Sequence, residues 1–189
     1  MKVAYLDHND SFTNNVIALL ESACNALAEV VIFSPEDTIE MVKEFMPDLI
    51  VIGPGPGRPS HYPLLQKVFQ AFQEKPILGI CLGMQAINEF FGGKTVESIE
   101  PKHGKISDIH HSNADIFKGI SNPFRAMRYH SLQIQATSHL QILAHSKDVP
   151  MVIKVNGKNI YGIQFHPESF GSEYGERLLQ NILEVSFAN

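Results

Sequence analysis

The stretch Pro76–Gln85 (PILGICLGMQ) constrains this chain more than any other. An apolar run, long enough for one buried strand, breaks at Gly79-Ile80-Cys81-Leu82-Gly83. An apolar, helix-compatible segment follows from Met84 to Phe91. The pattern predicts strand, tight turn and helix, with Cys81 at the apex. Small residues two before and two after the apex let a strand bend sharply into a helix, as in the serine version of a nucleophile elbow. A thiol there sits at a helix N-terminus, where the dipole and free N–H groups favour thiolate. An isolated cysteine is more often a packed structural one, so a reactive Cys81 requires a base elsewhere in the chain.

The flanking sequence predicts an α/β fold with an open, mainly parallel sheet. Val3–Leu6, Glu29–Phe33 and Asp48–Ile52 read as strands separated by helices. The first helix carries Phe12, Val16, Leu19, Leu20, Ala23 and Leu27 on one stripe, with Asp10 or Ser11 as its cap. Ser34-Pro35-Glu36-Asp37 reads as the start of a second helix that stops before Pro47. Such alternation favours parallel pairing with right-handed crossovers. Gly53-Pro54-Gly55-Pro56-Gly57-Arg58-Pro59 then forms a rigid loop where open α/β sheets bind ligands. It lacks the Gly-Lys-Ser/Thr ending of a phosphate loop. A helix follows over Tyr62–Phe72. After Gly92-Gly93 the segments become short and strand-like: Lys94–Val96, Lys105–Ile109, Phe124–Arg128, Leu132–Ala136, Gln141–Ala144, Met151–Val155 and Asn159–Ile163. Asn156-Gly157 is a hairpin signal. The C-terminal half is therefore expected to add antiparallel strands before a last helix over Glu173–Phe187. No linker or repeat divides the chain, and residues 1–189 are expected to form a single domain.

The base is sought among nine histidines. His8, His61, His103, His110, His111, His139 and His145 lie in polar surroundings and read as surface residues. His166 follows the strand-like run Ile160–Phe165 and precedes Pro167-Glu168. Cys81, His166 and Glu168 thus combine as nucleophile, base and orienter. Zinc is the competing use of Cys and His, but Cys24 and Cys81 are far apart and no Cys-x-x-Cys or His-x-x-x-His pair occurs. Neither metal nor cofactor is expected. A net charge of −5 without a basic run argues against nucleic acid or an anionic membrane as partner. Two cysteines, no apolar run of spanning length and an early polar N-terminus predict a reducing, cytoplasmic setting.

These residues resemble the class I glutamine amidotransferases of the triad type. Within them the chain is most similar to the glutaminase subunit (component II) of anthranilate synthase and aminodeoxychorismate synthase. The resemblance rests on Asp10-Ser11-Phe12-Thr13, Gly53–Gly57, Gly79–Gln85, His103-Gly104-Lys105, Arg128–Leu132 and Gly162–Ser169. It implies a flavodoxin-like fold and L-glutamine as substrate. Catalysis would fall to Cys81, His166 and Glu168. The backbone N–H of Leu82 and one from Gly55, Pro56 or Gly57's loop would hold the oxyanion, and Gln85, Ser131 and Leu132 the glutamine. His130 stands beside the site without being its base. The resemblance also implies a separate component I, a chorismate-binding synthase subunit, since no stretch here is large enough to be one. Three stretches depart from the family pattern: Tyr174 in place of a usual His, Ser112-Asn113-Ala114 in place of a usual Asn-Gly, and His145–Lys158. Two other readings share the fold: an inactive or regulatory binding module, against which the intact triad speaks, and another cysteine hydrolase such as a peptidase, against which Gln85 and Tyr129–Leu132 speak.

Overall fold

A computed structural model describes residues 1–188; Asn189, the last residue of the expected unit, lies outside the described residues. Strands β1 (Lys2–Leu6), β2 (Glu29–Phe33), β3 (Leu49–Ile52) and β4 (Ile77–Ile80) alternate with helices α1 (Thr13–Ala23), α2 (Ile39–Phe45) and α3 (Pro63–Phe72). Helix α4 (Leu82–Phe90) leaves the end of β4 after a single residue, Cys81. Then come β5 (Lys94–His111), β6 (Phe124–Gln135), β7 (Leu140–Ser146), β8 (Val149–Val155), β9 (Ile160–Ile163) and α5 (Gly175–Phe187). The strands are ordered β2-β1-β3-β4-β9-β8-β7-β5-β6. The first five are parallel neighbours and the rest pair antiparallel, as the sequence leads one to expect.

Alternate side chains of the parallel strands enter two cores. Val3, Tyr5, Leu49, Val51, Leu78, Ile80, Tyr161 and Ile163 pack with Val16 and Leu20 of α1 and Leu178, Leu179 and Ile182 of α5. Ala4, Leu6, Ile50, Ile52, Ile77 and Ile160 pack with α2, α3 and α4 on the other face. Burial on both faces explains why these strands are unbroken apolar runs. Each fully buried Val, Leu or Ile contributes about 1.5–3 kcal/mol.

Several local expectations are corrected. Ser34–Asp37 is a turn, not a helix start: the Asp37 carboxylate accepts from the Ser34 N–H at 2.6 Å, and Thr38 caps α2 instead. Asp10 accepts from the Phe12 N–H at 2.8 Å, but the residue at the head of α1 is Phe12, without a side-chain cap. Leu27 lies beyond α1 and is exposed. The last helix begins at Gly175 rather than Glu173. The short segments Lys94–Val96 and Lys105–Ile109 are parts of one 18-residue strand, and Phe124–Arg128 and Leu132–Ala136 merge into β6. Backbone pairing carries this ribbon through polar residues that read as loop, with register shifts between Glu97 and Lys102 and between His103 and Lys105.

The step from β4 to α4 leaves no room for side chains at its two glycines. A Cβ on Gly79 would stand 2.4 Å from the Gly83 carbonyl carbon, and one on Gly83 would stand 2.3 Å from the Ile52 carbonyl oxygen. Both obstacles are backbone, so neither can swing aside. Replacing Gly83 with Ala is predicted to destabilise the protein by about 1–3 kcal/mol, the usual cost of overpacking. Urea unfolding of the variant measures this, and an unchanged midpoint would contradict the close approach.

Candidate active site

Neighbouring parallel strands β3, β4 and β9 end on the same side of the sheet, where open α/β sheets form their crevices. Beyond β3 runs the Gly53–Gly57 loop, beyond β4 stands Cys81, and beyond β9 comes His166. The elbow holds Cys81 at φ 52° and ψ −99°, a conformation that costs a non-glycine residue about 1–3 kcal/mol. Its N–H is anchored to the Ile163 carbonyl at 2.7 Å. Leu82 and Gly83 open α4, so their N–H groups have no partner within the helix and face the turn.

His166 is fixed by its backbone and by its ring. Its N–H donates to the Met127 carbonyl at 3.0 Å, and its carbonyl accepts from the Ser172 hydroxyl at 2.6 Å. The ring lies 5.3 Å from both Phe12 and Tyr129. Its Nδ1 meets Glu168 Oε1 at 2.6 Å, with both side chains buried. Burial opposes the charged imidazole, but Cys81 and Glu168 together outweigh it and raise the His166 pKa to about 10. Nε2 is buried, and of the neighbouring side chains the Cys81 thiol is the one that acts on the ring beside Glu168.

Gly55, Pro56, Gly57, Cys81, Gln85, Tyr129, His130, Ser131 and Leu132 enclose a cavity of about 170 Å³. Of the residues predicted for substrate, only Leu82 does not line it: its side chain turns under Gly55, and its backbone alone reaches the elbow. The loop is held by Tyr62, whose hydroxyl donates to the Pro56 carbonyl at 2.9 Å, and by Arg58, which donates to the Thr95 carbonyl at 2.9 Å. Gly55 packs so closely on His8 that a Cβ there would stand 2.4 Å from the His8 Cβ. A larger cavity of about 700 Å³, lined by Ala23, Cys24, Leu183 and Phe187, lies at the opposite ends of α1 and α5 and holds none of these residues.

Two histidines predicted to be superficial are buried. His8 backs the loop, and burial lowers its pKa to about 4. His111 stacks on Phe117 at 4.2 Å. Two buried polar neighbours were given no role from the sequence. Gln164 is fully buried and donates from Nε2 to Cys81 Sγ at 3.6 Å, while its Oε1 accepts from Gln85 Nε2 at 3.4 Å. Arg128 is fully buried beneath His130. The signal for both is a polar residue at an inward position: Gln164 interrupts Ile163–Phe165, and Arg128 shares the face of Phe124 and Ala126. Among the described residues no three His, Cys, Asp or Glu side chains are grouped to hold a metal ion.

The family model described as glutamine amidotransferase class-I matches residues 4–185. The chain belongs to this family. Among its relatives, anthranilate synthase component 2 of Methanothermobacter marburgensis is 36% identical, covering 97% of this chain and 98% of that protein. Aminodeoxychorismate/anthranilate synthase component 2 of Bacillus subtilis is 37% identical, over 97% of this chain and 96% of its own. The crystal structure of a glutamine amidotransferase from Thermotoga maritima shares the fold, with a TM-score of 0.79 at 16% identity, covering 100% of this chain and 99% of that one. Where this amidotransferase departs from the expected pattern, Tyr174 heads α5 and bonds Ser121 Oγ at 3.0 Å, and Asn113 turns the chain after β5 at φ 59°. Among the described residues no helix is long and apolar enough to cross a membrane.

Glu168 stabilises the charged imidazole, so removing its charge is predicted to lower the His166 pKa. In Glu168→Gln, the His166 ring titration followed by NMR should move to lower pH. An unmoved titration would mean that the carboxylate is not the imidazole's partner.

Proposed function

We propose that this amidotransferase is a glutaminase subunit that hydrolyses L-glutamine through Cys81, His166 and Glu168, by way of a γ-glutamyl thioester, and delivers the ammonia to a separate chorismate-using component I. The products would be anthranilate, 4-amino-4-deoxychorismate or both. The observation that carries the reading is Cys81, held on a strained elbow at the wall of a small cavity, beside a buried imidazole whose Nδ1 is bound by a carboxylate. The naming of relatives as component 2 supports the pathway and the partner.

The chemistry follows from the geometry. The imidazole takes the thiol proton, and Cys81 Sγ attacks the side-chain amide carbon of glutamine. Backbone N–H groups of Leu82 and of the Gly55–Gly57 loop receive the developing oxyanion; loss of one such donor costs about 3–4 kcal/mol of transition-state stabilisation. His166 returns the proton to the departing nitrogen, and ammonia leaves. Water, deprotonated by the same ring, then cleaves the thioester and releases glutamate. Gln85, Ser131 and Leu132 hold the glutamine, and Gln164 holds the sulfur toward it. Ammonia released into water would be protonated and lose its nucleophilicity, which favours direct transfer to the partner. Residues 1–189 act as one catalytic unit in this scheme, without cofactor.

Incubation with glutamine, with and without component I, is expected to yield glutamate and ammonia. Cys81→Ser should reduce glutamine-dependent synthesis by ~10³-fold or more while the partner continues to use added ammonia. Absence of glutamate from folded wild-type protein under both conditions, or glutamine use surviving in Cys81→Ser, would refute the proposal.

A further inference from the structure

Beyond the triad, the one fully buried arginine bond cluster among the described residues lies directly behind the substrate cavity. Arg128 projects from β6 with no exposed surface. Its Nη1 donates to Glu100 Oε2 at 3.1 Å and to Ser107 Oγ at 3.3 Å, and its Nη2 donates to the Glu100 carbonyl at 3.1 Å. Its Nε donates to His130 Nε2 at 2.9 Å. Glu100 sits in the segment where β5 slips register against β6, between Glu97 and Lys102. Two lysines, Lys147 and Lys102, also meet its carboxylate, the latter at 3.3 Å. They and Arg128 hold its pKa well below the usual carboxylate range.

An arginine does not give up its proton in a protein, so the ring nitrogen facing it must be an acceptor. The proton of neutral His130 therefore resides on Nδ1, which donates to the Leu132 carbonyl at 2.8 Å. Burial keeps the ring neutral and lowers its pKa to about 4. This accounts for His130's standing at the cavity wall without serving as a base: both nitrogens are committed. The bond it makes ends on the carbonyl of a residue that lines the cavity beside Cys81.

We infer that Arg128 and His130 are positioning residues: Arg128 sets the tautomer of His130, and His130 fixes the Ser131-Leu132 backbone against which glutamine is bound. Neither touches the reacting atoms. The inference rests on the glutaminase reading for its kinetic part and on the structure alone for its tautomer.

Two measurements test it. In ¹⁵N-histidine NMR of the wild-type protein, His130 should be the neutral Nδ1–H tautomer; an Nε2–H tautomer would overturn the inference whatever the activity. In kinetics, His130→Phe should raise the KM for glutamine about tenfold, the loss of roughly one buried hydrogen bond, with a smaller change in kcat. His130→Asn, which keeps a donor at the place of Nδ1, should recover most of that loss. An unchanged KM in a folded, active His130→Phe protein would overturn the inference and leave the glutaminase reading intact. A wild-type protein without turnover would instead refute that reading and leave the tautomer result standing. If His130→Phe fails to fold, the wild-type tautomer still decides.

Discussion

Backbone-to-backbone contact between β3, β4 and the first turn of α4 is the constraint on which the site depends. Gly79 and Gly83 allow no side chain between these elements, and their closeness forces Cys81 into a positive φ. The strain is local, while the packing that holds it is spread over two apolar cores. A thiol at this position has no freedom to retreat into the sheet. It must stand at the carboxyl ends of the strands, where free N–H groups of the helix surround it.

The same crevice sorts histidines by their surroundings. His166 and His130 both stand near Cys81, and both are buried. One has a carboxylate on its inner nitrogen and a thiol near its outer one, and its pKa rises. The other has a guanidinium on one nitrogen and a carbonyl on the other, and its pKa falls. Burial lowers both, and only at His166 do the neighbouring thiol and carboxylate outweigh it. The first has the surroundings that the proposed acid and base chemistry needs, and the second has both nitrogens bonded.

Much of this was legible in the sequence because it depends on local rules. Parallel strands buried on both faces are apolar runs, and the glycine spacing around Cys81 announces an elbow. His166 and Glu168 are two residues apart, so their pairing needs little more than a strand end. What was not legible depends on distant contacts. Ser34–Asp37 carries helix-start residues, but the Asp37 carboxylate closes a turn before the helix begins. The polar middle of β5 reads as loop because its pairing with β6 uses backbone bonds rather than apolar side chains. His8 and His111 look superficial, yet Gly55 and Phe117 cover them from elsewhere in the chain. Arg128 and Gln164 lie in stretches that carry the resemblance, but their burial rests on partners distant in the chain, Glu100 for the first and Cys81 and Gln85 for the second.

The central claim is that Cys81 Sγ bonds covalently to the γ-glutamyl carbon as ammonia leaves. Its most direct test is mass spectrometry of protein quenched in acid during turnover. The account predicts a γ-glutamyl adduct confined to the peptide bearing Cys81, absent without glutamine and absent in Cys81→Ser. An adduct on another residue, or glutamate formed by active protein with Cys81 never modified, would contradict it.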